Sequence, residues 1–168
     1  MSIELRPLRV EDAVEMADVL SSKALYAFTG GEPPSVDELE RRYEIQTRGS
    51  SSDGAEEWVN LIVTLGSAEL PIGYVQATVQ RCSDAAEIAW VIGQQWQGHG
   101  YAKEAAKLLS DRLASRGVTH LIAHIHPEHT ASQHVAASLG MIPTDQVIDG
   151  EVRWERKRIL AGPAPKPQ

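Results

Sequence analysis

A single cysteine, Cys82, stands among 168 residues, so no disulfide can form within the chain and nothing in it calls for an oxidising compartment. Long apolar runs are missing as well, since none approaches the ~18–20 residues of a membrane span. The amino end, Met1-Ser2-Ile3-Glu4-Leu5-Arg6, has neither the basic stretch nor the apolar segment of a signal peptide, and the expected location is cytoplasmic. Dense blocks of cations are absent too. Lys and Arg number 16 against 23 Asp and Glu, a net charge of −7, whereas binding to a phosphate backbone draws on clustered cations. Neither nucleic acid nor membrane is an expected partner. No internal repeat is found. What remains, 42% hydrophobic and 23% charged residues, is ordinary for a globular protein of one domain's length. We expect one domain over residues 1–160, followed by a tail at 161–168 whose Ala-Gly-Pro composition predicts disorder.

Along the chain, Ile3 to Val10 alternate as a first strand would, and Asp12 with Glu15 predicts a helix N-cap. Thr29 to Pro34 is a breaker cluster, and Ser35 with Glu38 repeats the capping-box spacing before a second helix that ends near Gly49. Trp58–Leu65, Ile72–Val79 and Glu87–Ile92 are short apolar runs with short connections, which predicts an antiparallel meander. Ala102, Ala105, Ala106, Leu109 and Leu113 fall on one helical face, with Gly117 as the stop. A strand over Val118–His126 follows, and a strand reached through a helix favours parallel pairing at one sheet position. Ala131–Leu139 predicts a short helix, and Asp149-Gly150 a two-residue hairpin turn.

The richest segment joins the strand ending at Ile92 to the helix starting near Tyr101. It passes through Gln97-Gly98-His99-Gly100-Tyr101-Ala102. A strand that turns through two glycines into a helix aims unpaired N–H groups and the positive end of the helix dipole at one place, which suits an anion. Spacing rejects two phosphate-binding patterns. The dinucleotide fingerprint needs a third small residue where Lys103 stands, and the P-loop's Gly-Lys-Ser/Thr never occurs. Read without a ligand, the same glycines would make a tight connection, and Lys103 would be a solvated side chain.

These residues match the Gln/Arg-x-x-Gly-x-Gly/Ala pyrophosphate loop of the GCN5-related N-acetyltransferases, and the order of elements on either side resembles that family over roughly the whole chain. The stretch Trp96 to Ala102 is most similar in flavour to the branch containing the ribosomal-protein N-terminal acetyltransferases. The resemblance implies a mixed α/β fold, with a central, mostly antiparallel twisted sheet, one parallel strand pair that splays apart, and helices on both faces. It also implies acetyl-coenzyme A as co-substrate. The pyrophosphate would lie on Gln97, Gly98, His99, Gly100, Tyr101 and Ala102, with Lys103 beside it, and the pantetheine arm along Trp90-Val91-Ile92. A main-chain N–H near Trp90 would polarise the thioester carbonyl.

For the base, the resemblance points to Glu87. Among Ile88, Ala89, Trp90 and Val91, burial would raise its pKa towards a useful value, unless it sits at the wet start of its strand. The tyrosine that many relatives use as an acid is Ala136 here, and the asparagine of their Asn-x-x-Ser motif is His129. Ser132 keeps the motif's serine, as a donor to the departing thiolate or to the pantetheine, or else as a helix cap. His129 and Ser132 are both expected against the cofactor.

Five histidines, His120, His124, His126, His129 and His134, raise the question of a metal. His124 and His126 would share a strand face and Glu128 lies close by, yet the His-Glu-x-x-His spacing is absent and no metal is expected. His126, at the strand's end, is the expected proton shuttle among them. Tyr26, Phe28 and the Thr29–Pro34 loop lie where the family builds its acceptor pocket, or else anchor a loop to the core. The expected reaction is therefore acetyl transfer to a primary amine, on a small molecule or a peptide N-terminus, by direct attack in a ternary complex, with homodimerisation left open. Two rivals stay in view: an acyl-coenzyme A sensor without turnover, and a zinc hydrolase built on the histidines.

Overall fold

The computed structural model describes residues 1–158, so the tail expected at 161–168 lies outside the described residues. One seven-stranded sheet carries the fold. Its strands are β1 (Ile3–Pro7), β2 (Glu56–Leu65), β3 (Leu70–Gln80), β4 (Ala85–Ile92), β5 (His120–Ile125), β6 (Ile142–Ile148) and β7 (Glu151–Lys157). They lie in the order β1-β2-β3-β4-β5-β7-β6, and every pairing is antiparallel except β4 with β5. Four α-helices cover it: α1 (Ala13–Val19) and α2 (Val36–Gln46) on one face, α3 (Tyr101–Ser115) and α4 (Thr130–Ser138) on the other. The mixed α/β architecture expected from the resemblance is the one observed.

The two faces have separate cores. Under α3 and α4, Leu109, Leu113, Val75, Ile88, Leu121 and Ala136 are buried together. Under α1 and α2, Met16, Leu39, Tyr43 and Ile62 pack with Tyr74 and Val91. At ~1.5–3 kcal/mol for each large apolar side chain removed from water, these two layers supply the main drive for folding. The helix termini follow the sequence where it was explicit. Ser35 Oγ accepts from the Glu38 N–H at 3.2 Å and Glu38 accepts from the Ser35 N–H at 2.8 Å, the reciprocal cap expected of that spacing. Asp149 and Gly150 both take positive φ, 51° and 80°, as a two-residue hairpin with the native twist requires.

Three expectations need correction. Asp12 does not cap α1. Its carboxylate accepts from the Arg9 N–H at 2.8 Å and from both terminal nitrogens of Arg6, at 2.8 and 2.9 Å. Although burial works in the opposite direction, these bonds hold the Asp12 carboxyl below the usual range. The strand predicted over Val118–His126 is shorter because the Val118 N–H donates to Leu113 O, closing α3 around Gly117. The first strand stops at Pro7, ahead of a 3-10 turn at Val10–Asp12.

What positions the site is the β4–β5 junction. Pairing covers only Ala85, Ala86 and Glu87 against His120, Leu121 and Ile122, after which the strands diverge. Its register is set at Asp84, whose carbonyl accepts from the N–H groups of both Thr119 and His120 and whose carboxylate accepts from the Thr119 hydroxyl. Beyond Glu87, β4 continues for five residues with no strand on that edge among the described residues.

Candidate active site

The divergence of β4 from β5 opens a cleft of about 840 Å³ that takes in residues from both faces of the sheet. On one side lie Gln97, Gly98, Gly100, Tyr101, Ala102 and Lys103; along its wall are Trp90, Val91 and Ile92; across it are His124, His126, His129 and Ser132. All the expected site residues therefore line one cleft except His99. That imidazole stacks on Tyr101 at 5.5 Å and its Nδ1 lies 3.2 Å from Trp96 O, away from the cleft.

The glycine turn is an open cradle. Gly98 and Gly100 have φ of 80° and 81°, and a Cβ on either would meet no atom within 4 Å. Gln94–Trp96 makes a 3-10 turn, and the Gln97 side chain donates back to Ile92 O at 3.0 Å, bracing the loop against the end of β4. Gln97 thus holds the loop's shape. From Gly98 to Lys103 no N–H finds a main-chain acceptor among the described residues, and Glu104 is the first to donate, to Gly100 O. This stretch of open amides leads into the start of a 15-residue helix at one end of the cleft, which suits a pyrophosphate.

The wall of the cleft is also left unpaired. The Gly93 N–H bonds Ile72 O across the β3–β4 ladder, so by the alternation of an antiparallel pair the main-chain groups of Ile92, Trp90 and Ile88 turn away from β3 and into the gap. An extended arm could add there as a strand does, with the Trp90 N–H available to a carbonyl oxygen.

Of the two environments weighed for Glu87, burial and exposure, the structure has exposure. Its side chain is 56% exposed, because the residue stands at the last rung before the strands part and its carboxylate meets the open cleft. In place of burial it has a partner, His124, whose Nδ1 lies 2.8 Å from Glu87 Oε1. A carboxylate oxygen accepts, so Nδ1 carries the proton. Among the described residues His124 Nε2 is enclosed with no hydrogen-bond partner, and the neutral Nδ1–H tautomer is the form that leaves no buried N–H there without an acceptor. Sequence reasoning set His124 beside His126 as a strand-face pair; instead, His126 lies beyond the strand and its Nδ1 accepts from the Glu128 N–H at 3.1 Å.

The remaining histidines go separate ways. His120 pairs with Glu155 at 3.0 Å, and His129 stacks on Phe28 with ring centroids 4.5 Å apart, near His126 as well. Burial, with a smaller contribution from His126, lowers the His129 pKa. Among the described residues no three His, Cys, Asp or Glu side chains converge as a metal site. Ser132 sits in the third position of α4 without capping it, its Oγ 3.5 Å from His129 Nε2, and Ala136 is fully buried in the core. Phe28 reaches the cleft from the turn after Lys23–Tyr26, which is held by a hydrogen bond from Ser22 to Gln94.

A family profile described as an acetyltransferase (GNAT) domain matches residues 2–142, most of the chain and all of the cleft except Glu151. The chain belongs to the GNAT acetyltransferase family. Solved GNAT structures share its fold. A chimera of the Vibrio cholerae spermidine N-acetyltransferase with hSSAT superposes with a TM-score of 0.75 at 20% identity, over 94% of this chain and 96% of that one. An aminoglycoside acetyltransferase in complex with paromomycin and acetyl-coenzyme A gives 0.77 at 17% identity, over 94% of each chain. The PaiA N-acetyltransferase of Thermoplasma acidophilum, in complex with coenzyme A, gives 0.72 at 17%, over 94% of this chain and all of that one. No curated protein sequence matches the chain. Among the described residues no helix is long and apolar enough to cross a membrane.

Proposed function

We propose that this GNAT protein transfers an acetyl group from acetyl-coenzyme A to a primary amine, on a small molecule or a peptide N-terminus, by direct attack in a ternary complex. The observation that carries the reading is the row of unpaired amides from Gly98 to Lys103 at one end of a cleft whose other end holds the Glu87–His124 pair. The structures with coenzyme A or acetyl-coenzyme A bound to the same fold support the choice of co-substrate.

Each residue then has a task. The Gly98–Lys103 amides bind the pyrophosphate, and the unpaired edge of β4 orients the pantetheine arm. The thioester supplies an acyl carbon open to attack and a thiolate that can leave. The Trp90 N–H donates to the carbonyl oxygen, where negative charge grows in the transition state. Glu87, exposed to the cleft and held by His124, accepts a proton from the amine as its nitrogen bonds to the acyl carbon. The Ser132 hydroxyl donates to sulfur as the C–S bond breaks. The carboxylates of Glu87, Glu128 and Glu151 along the cleft favour an amine over an anionic nucleophile.

Calorimetric titration with acetyl-coenzyme A, followed by a thiol-release assay over peptides, polyamines and aminoglycosides, tests the proposal. Saturable binding with thiol release on some amine is the expected outcome. Binding without release from any amine favours the sensor, and absence of binding by the folded protein refutes the assignment of the glycine turn.

A further inference from the structure

The face of the sheet that holds Glu87 continues beyond the cleft. In register across β4, β3 and β2, Ala89 stands beside Gln76 and Gln76 beside Asn60, with Tyr74 next to Val91 one pair further along. Tyr74 and Gln76 wall the large cleft on one side and a second cavity of about 190 Å³ on the other, roofed by Arg42, Tyr43 and Gln46 of α2. The two cavities thus lie side by side on one face, two strand spacings or about 10 Å between the Glu87 strand and the far wall.

Their chemistry is opposite. Three carboxylates, Glu87, Glu128 and Glu151, line the large cleft, whereas the smaller recess has one guanidinium, Arg42, and no carboxylate. The phenols of Tyr43 and Tyr74 also belong to it. Burial raises the pKa of both, so each keeps its proton and can donate, and the Arg42 charge is close enough to oppose that rise at each ring. Among the described residues the Tyr43 and Tyr74 hydroxyls, the Gln76 amide and the Arg42 guanidinium make no hydrogen bond to another group. Nor are these atoms sealed off, unlike the enclosed His124 Nε2. Three uncommitted donor groups on the wall and the exposed Arg42 guanidinium, which also acts on Glu38 one helical turn before it, surround a space large enough for a carboxylate and its water and describe a site for negatively charged oxygen.

We propose that this recess binds an oxyanion of the acceptor, so that the acceptor is an amine whose far end, about 10 Å from the reacting nitrogen, carries a carboxylate or another anionic oxygen group. The proposal rests on the reading of the large cleft as the place of acetyl transfer. It narrows the acceptor from any amine to a bipolar one, lying across β3 with its amine at Glu87 and its anionic end at Arg42. It also gives the acidic cleft and the basic recess a joint role, since a plain polyamine would meet Arg42 with like charge.

Triglycine, which extends to about 10 Å at ~3.3–3.6 Å per residue, tests this against triglycinamide and against the analogue ending in aminomethylphosphonate. With acetyl-coenzyme A as donor, triglycine is expected to exceed triglycinamide in kcat/KM by roughly 10-fold or more, and Arg42→Gln to erase that preference through KM. Tyr74→Phe is expected to reduce the preference in part. The phosphonate arm tells whether the recess prefers the planar carboxylate or the tetrahedral, more highly charged group. Equal rates for triglycine and its amide, or an Arg42→Gln loss shared equally by both, overturn the proposal. Should no acceptor be acetylated, the transfer reading fails, and calorimetry of triglycine and triglycinamide on the coenzyme A-loaded protein judges the recess by itself. Binding of triglycine alone, abolished by Arg42→Gln, sustains it, and equal or absent binding of the two overturns it.

Discussion

At the Gly98–Lys103 end of the cleft the groups that face a ligand are backbone amides from one continuous segment, whereas at the other end they are side chains gathered from β4, β5, the turn after α1 and the start of α4. The difference has consequences for tolerance and for tuning. An amide row depends on main-chain conformation, so most side chains along it can change, as His99 illustrates by pointing away from the cleft. A side-chain cluster depends on each member, and it is where charge and protonation can be adjusted.

That contrast can be broken most sharply at Gly100. Gly100→Glu puts a Cβ and a negative charge into the cradle at a φ that disfavours any side chain, and affinity for acetyl-coenzyme A should fall ~100-fold or more, about 3 kcal/mol, by calorimetry. A folded variant with unchanged affinity would show that the amides do not hold the pyrophosphate. Next in size is Glu87→Gln, for which kcat should drop ~100-fold near neutral pH with acetyl-coenzyme A affinity kept. The loss should shrink at alkaline pH, where amines shed their own protons; a constant loss at every pH would make Glu87 structural. His124→Leu, which removes the Nδ1–H held by Glu87, should cost about 10-fold in kcat, while His124→Asn retains a donor near that position and recovers most of it. Equal losses in the two variants would separate His124 from the orientation of Glu87.

The smallest effects should distinguish the two ends without abolishing anything. His99→Ala should leave acetyl-coenzyme A affinity within roughly 3-fold of the parent, since its side chain lies outside the cleft. On the opposite side, burial holds His129 below the ordinary imidazole value of ~6.5, so the folded form binds fewer protons than the unfolded chain. That contribution to stability is complete above pH ~6.5 and is lost as pH falls through the lowered folded value. Melting temperature should therefore fall less on acidification in His129→Asn than in the parent protein, and parallel curves would show that His129 carries no such linkage.

Legibility followed the same division. The strand, glycine turn and helix from Trp90 to Ser115 could be read because one short segment contains every residue that shapes it, and the positive φ of Gly98 and Gly100 confirms why glycine stands there. The Ser35–Glu38 cap was equally local. Asp12 misled because its partner, Arg6, sits on the preceding strand and outcompeted the N-cap role that spacing alone suggested. The Glu87–His124 bond was beyond reach because it depends on the β4–β5 register, which Asp84 and Thr119 set across 35 positions. The Arg42 recess joins α2 to β2 and β3 through the register of those two strands, and no spacing in the sequence marks it.

The three rungs that join Ala85–Glu87 to His120–Ile122 also bear on how descendants of this chain can vary in length. Side chains alternate along a strand, so one residue inserted or deleted between Ala85 and Glu87 would swing Glu87 towards α3 and present an alanine or isoleucine to His124. The exposed turn at Arg81–Asp84 is different: changes there can be absorbed as long as Asp84 still meets Thr119. Lineages that keep this chemistry should therefore collect their insertions and deletions before Asp84 and none in the three residues after it.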